Sequence, residues 1–225
     1  MLRDDRGVPL TRTAVVVGAG PGLGLALARR FAREGYALAL LARAPERLDL
    51  ADLPAASTHA VDLADRTALA AALADVRSRH GDPEVLLFNA SATVMGLPSE
   101  VDPGAVAAAL AVGVVAGVVC AQDVAPAMRA AGAGSLLFTG GGTALKPWAA
   151  GTAIGLQKSA LRNYVLALHD EMAPLGVHAG MVTVHGMIAP GTPYAPDLIA
   201  EAFWSLHTQP RAEWAAEIDF FGGPA

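Results

Sequence analysis

The chain has 225 residues, 53% of them hydrophobic and 16% charged, with a formal net charge of −5. That length suits a single domain with a sizeable core, residues 1–225. An acidic balance without a basic cluster excludes nucleic acid and an anionic membrane as expected partners, and a lone Cys120 excludes an internal disulfide or a multi-cysteine metal site.

Residues 1–6 are charged and carry no secretory pattern, so a cytoplasmic location is expected. Residues 13–17 read as a first strand and 22–34 as a helix closed by Gly35. A near-continuous apolar strand follows at 36–41, of the kind buried on both faces of a parallel sheet. Pro45 opens a short helix to Leu50, and a third strand is expected at 58–61. Asp65 is placed to cap an amphipathic helix ending at His80. The fourth strand is 85–88, and a loop follows over 89–101.

A long helix is expected over 103–130, and its apolar reach is broken by Gly113 and Gly117. It reads as a buried or interface helix, since a membrane span needs about 20 apolar residues. Strand five is 135–139, and a glycine loop leads to a second long helix over 151–173. Strand six is 177–184, a proline- and glycine-rich loop covers 185–196, a helix covers 196–207, and a last strand covers 217–221. Strands alternating with helices, without linker or repeat, predict one doubly wound α/β domain with a mostly parallel seven-stranded sheet. Ligands of such sheets bind at the carboxyl ends of the strands.

The chemistry concentrates in the first turn. The strand Val15–Val17 runs into Gly18, Gly20, Gly22 and Gly24 and then into the helix beginning Leu23. Glycines there let an anionic phosphate approach main-chain N–H groups at a helix N-terminus. Asp62-Leu63 follows the third strand, Asn89-Ala90-Ser91 follows the fourth, and Lys158 lies in the helix after the fifth. In this order and spacing, these pieces resemble the short-chain dehydrogenase/reductase family over nearly the whole chain. Gly18, Gly22 and Gly24 match its Gly-x-x-x-Gly-x-Gly turn, and Asp62-Leu63 matches the pair that contacts adenine. Asn89-Ala90 partly matches its Asn-Asn-Ala-Gly, and Lys158 stands at its active-site lysine. The resemblance implies a Rossmann-like fold and a nicotinamide dinucleotide. Thr192 resembles the threonine that holds the carboxamide, about one residue out of register.

The resemblance also implies an acid–base set of Asn, Ser, Tyr and Lys. Here Gly113, Gly141 and Ile154 take the first three places, and no tyrosine lies between Thr139 and Lys158. Acid–base help is worth roughly 10²–10⁴-fold, and an oxyanion donor has similar weight. Neither glycine nor isoleucine supplies either. Lys158 keeps the family's other task, a hydrogen bond to the nicotinamide ribose. His185 is the leading substitute proton carrier, since it stands where the family has a Pro-Gly pair beside the nicotinamide. Ser91, Thr93, Thr143, Lys146 and Trp148 are further pocket candidates, and Gln157 and Ser159 flank Lys158 as weaker ones.

After strand two, Leu41-Ala42-Arg43 offers no acid for a ribose 2′-hydroxyl, whereas Arg43 can fork onto a 2′-phosphate. NADP(H) is therefore expected over NAD(H). The remaining histidines lack metal-ligand spacing, so no metal is expected. The loops 91–101 and 185–196 carry few charges, which points to a small, uncharged, hydrophobic substrate such as an activated carbonyl, imine or enone. The apolar long helices predict a homodimer or homotetramer. A cofactor-binding sensor or partner subunit without turnover, and a non-redox isomerase or cyclase, remain alternatives on the same scaffold.

Overall fold

The computed structural model describes residues 12–53 and 55–223; residues 1–6, on which the expected location rests, lie outside them. Seven strands, β1 (Thr13–Val17), β2 (Ala37–Ala42), β3 (Ala56–Ala60), β4 (Val85–Phe88), β5 (Ser135–Thr139), β6 (His178–Val184) and β7 (Glu217–Phe220), form one sheet. Their order is β3-β2-β1-β4-β5-β6-β7, and each neighbouring pair is parallel.

Alternation along β1 sends Val15 and Val17 to one face and Ala14 and Val16 to the other. The first face packs on α2 (Arg66–His80), α4 (Ala116–Ala131) and α5 (Thr152–Met172), and the second on α1 (Leu23–Ala32) and α6 (Pro196–His207). Both faces are covered, so β1, β4 and β5 are buried along their whole length. The chain reverses its direction of travel across the sheet at β1, and the crevice between the ends of β1 and β4 is the topological switch point.

Asp65 caps α2 as expected, its carboxylate accepting the N–H groups of Thr67 and Ala68. Three expectations needed correction. The helix expected from Pro45 is one short 3₁₀ turn, Pro45–Arg47. The third strand starts at Ala56, where it pairs with Leu38. The helix expected over 103–130 is α3 (Pro103–Leu110), a single π turn (Ala111–Val115) and α4. The π turn surrounds buried Gly113, beside which the Gln157 side chain is packed.

Candidate functional site

The turn after β1 separates the glycines by role. Gly18 adopts φ +82°, and its main chain presses against the segment that follows β4, since a Cβ there would lie 2.7 Å from the Ala90 backbone. A Cβ on Gly24 would meet the Gly18 carbonyl oxygen at 2.7 Å, so this glycine lets α1 pack onto its own turn. Gly20 and Gly22 are different: nothing lies within 4 Å of a Cβ built on either. They leave bare main chain facing open space. No side chain caps α1 and no acid stands in its first turn. The N–H groups of Leu23 and Gly24 therefore sit at an uncapped positive helix end, next to an open glycine surface. That arrangement suits a pyrophosphate.

A cleft of about 730 Å³ runs from this turn along the strand ends, between Arg43 and Arg47 on one side and Asn89 to Thr93 on the other. Asp62 and Leu63, after β3, line the same cleft. Asn89 is fixed from several directions. Its main-chain N–H donates to Val17, its side-chain amide donates to the Gly18 carbonyl at 3.2 Å, and its amide oxygen accepts from Thr139 at 2.9 Å. Arg43 is exposed on the rim and makes no ion pair among the described residues, whereas Arg47 stands 3.9 Å from Glu46.

Lys158 of α5 lies at the carboxyl end of β5. It is buried, and its ammonium donates to the Thr139 carbonyl at 2.7 Å. No carboxylate neutralises it among the described residues, and burial alone lowers its pKa to about 8. A buried lysine without a carboxylate partner is a candidate functional position. Gly141 lies against its stem, since a Cβ there would be 3.2 Å from Lys158 Cγ.

The sequence profile of the short chain dehydrogenase family matches residues 12–196. The chain belongs to that family. A metagenomic short-chain oxidoreductase solved in complex with NADP is 30% identical, with a TM-score of 0.83 over 93% of this chain and 96% of that one. An alcohol dehydrogenase from Thermococcus sibiricus, solved with 5-hydroxy-NADP, is 25% identical, with a TM-score of 0.82 over 93% and 95%. The (2S)-[(R)-hydroxy(phenyl)methyl]succinyl-CoA dehydrogenase subunit BbsC of Thauera aromatica is 35% identical over 132 residues, which are 56% of this chain and 53% of that relative.

The residues that the resemblance sets at the family's other three acid–base places, Gly113, Gly141 and Ile154, carry no titratable side chain. None of the three tyrosines stands in for them. Tyr164 packs edge-on against Phe138 in the core, with burial pushing its pKa up to about 12. Tyr194 donates to the Phe221 carbonyl, and Tyr36 contacts Arg12 and His207 near the start of β2.

His185 and Lys158 are not hydrogen-bonded to each other. Lys158 lies against Gly141, while His185 lies against Gly142, where a Cβ would be 2.9 Å from its Nδ1. The His185 Nε2 pairs with Asp219 at 2.6 Å and its ring stacks on Phe221 at 4.2 Å, so the β7 end holds it. The Thr192 hydroxyl donates to the Ala189 carbonyl and accepts from the Tyr194 N–H, which commits it to its own turn. Two features were not legible in the sequence: Arg47 on the cleft rim and Asp219 behind His185. Each depends on where a distant or adjoining turn points rather than on spacing.

Proposed function

We propose that this short-chain dehydrogenase binds NADP(H) in preference to NAD(H), with an acid–base set reduced to Lys158. The open face at Gly20 and Gly22 over the uncapped α1 terminus carries the reading. The residues fit the group: a pyrophosphate at the turn, adenine beside Asp62 and Leu63, a 2′-phosphate at Arg43, and ribose hydroxyls at Lys158. The cofactor, when bound, supplies or accepts hydride at carbon. The chain's own part is to hold the dinucleotide by its phosphates and to place an ammonium at the end of β5. Without a serine or tyrosine hydroxyl, it gives little proton help to a carbonyl oxygen. A small, uncharged, activated carbonyl, imine or enone fits such a site, with His185 as the nearest candidate proton carrier.

A second reading is a cofactor-binding protein without turnover, and Gly141 and Ile154 favour it. Titrating NADPH and NADH by nicotinamide fluorescence, then mixing the NADPH complex with carbonyl, imine and enone panels, separates the cases. Binding with oxidation of NADPH supports the first reading and binding without oxidation the second. Absence of binding refutes both and leaves a non-redox enzyme.

We also propose a homodimer or homotetramer. The most apolar window of the helix Pro103–Ala131 has a mean hydropathy of 2.4, yet only 33% of it is buried in the single chain. Length and composition alone would let this helix cross a bilayer, but its Cys120, Val124 and Met128 pack into the sheet core. A groove of about 290 Å³ between α4 and α5 has Arg129 and Glu171 on its walls, opposite charges that suit pairing with a second copy. Gel filtration at micromolar concentration returning the 22.9 kDa monomer would remove this assignment.

A further inference from the structure

The loop after β4 forms one wall of the cleft through Ser91, Ala92 and Thr93. Among the described residues, 91–95 make no backbone–backbone hydrogen bond. One side chain ties this segment down. Gln157 of α5 accepts from the Ala92 N–H at 3.1 Å and donates to the Ala92 carbonyl at 2.8 Å, with a further bond to the Ala153 carbonyl at 3.2 Å. It is 1% exposed, so its amide is fully committed and a partner lost on either side goes unreplaced by water.

The same amide fills the space beside Gly113. A Cβ on Gly113 would lie 2.1 Å from the Gln157 oxygen and 2.9 Å from its Cδ. No side chain at 113 is compatible with Gln157 in this position. At this place the family resemblance puts an asparagine, which carries the same primary amide. The amide group thus arrives from α5 instead of from the π turn, one residue before Lys158.

We propose that Gln157 is a positioning residue for the dinucleotide: it locks the β4 loop to the lysine-bearing helix, and Gly113 is the gap that admits it. The proposal rests on the NADP(H) reading for its ligand but not for its geometry. Gln157→Met keeps side-chain volume and removes the three amide bonds. It is expected to raise the NADPH dissociation constant about tenfold, the scale of one or two lost hydrogen bonds. It should also speed hydrogen exchange at Ala92. The double variant Gly113→Asn/Gln157→Ala returns an amide to the vacated space from the π turn. It should bring NADPH affinity to within about threefold of wild type and restore protection at Ala92.

Rescue by the double variant is the part that lost packing alone would not produce. A folded Gln157→Met protein with wild-type affinity and exchange overturns the proposal. So does a folded double variant as weak as Gln157→Ala alone. Should Gln157→Met fail to fold, the double variant against Gln157→Ala decides alone. If the wild-type protein binds no NADPH, the dinucleotide reading fails separately. Exchange at Ala92 then decides: protection lost in Gln157→Met and regained in the double variant supports the lock, and unchanged protection ends it.

Discussion

Replacing Gly20 by alanine separates binding from folding. A Cβ at this position meets nothing within 4 Å, and the Gly20 N–H keeps its bond to the Gly18 carbonyl. The folded apoprotein therefore has room for the methyl group. The unfolded chain loses conformational freedom, which stabilises by about 0.4–1 kcal/mol, or about 1–4 °C in Tm for a domain of this size. The same methyl projects into the space assigned to the pyrophosphate. Displacing one charge-assisted main-chain contact costs about 1.5–3 kcal/mol, which raises the NADPH dissociation constant about 10–150-fold. Gly24→Ala is the contrast, because its Cβ would lie 2.7 Å from the Gly18 oxygen and 2.8 Å from Ala19 Cα, both main-chain atoms that cannot yield cheaply. Overpacking of this kind costs about 1–3 kcal/mol and should lower Tm by about 2–12 °C. Fluorescence titration and thermal melts of the two variants read both effects. A Gly20→Ala protein that binds NADPH like wild type would show that no dinucleotide lies on this turn.

Other perturbations test other parts of the site. Arg43→Ala should weaken NADPH about tenfold or more and leave NADH unchanged; equal NADPH affinity in both proteins would end the 2′-phosphate assignment. Lys158→Met should raise Tm at pH 7 while weakening NADPH, because burial holds the ammonium pKa down to about 8. The unfolded chain binds more protons than the folded one between pH 8 and about 10.5, so wild-type stability rises across that window by up to about 3 kcal/mol. Urea melts of Lys158→Met that keep this rise would refute the assignment. His207 has its pKa lowered to about 4, by burial first and then by Arg12 and His178. Below about pH 6.5 the unfolded chain takes up a proton that the folded one refuses, so stability falls as pH drops from 6.5 towards 4, by about 3 kcal/mol at most. His207→Gln should flatten this acid limb in denaturant melts from pH 7 to 4.5, and an unchanged slope would place the effect elsewhere.

The fold was legible because its signals are local. Periodicity and turn residues marked β1, β4, β5 and α6 to the residue. The glycine spacing pointed to a phosphate turn, and Gly141 and Ile154 to the proposed loss of hydroxyls. Asp65 read correctly as a cap, since capping depends on neighbours only two and three residues away. The π turn was not legible, because Gly113 reads as a weak helix residue until Gln157 is seen beside it. The flanking position of Gln157 next to Lys158 suggested a side chain turned away from the site. It does turn away from Lys158, but onto the loop that walls the cleft.

By itself the sequence determined the family, the parallel sheet and the glycine spacing of the first turn. These follow from residue identity at fixed spacing along one chain. Only the tertiary structure decided which glycines are bare and which are crowded, that Lys158 is buried with no carboxylate partner among the described residues, that Asp219 holds His185, and that Gln157 fills the space beside Gly113. Each of these joins segments that are far apart in sequence or depends on what surrounds a side chain. Such information appears only once the strands have taken their order in the sheet.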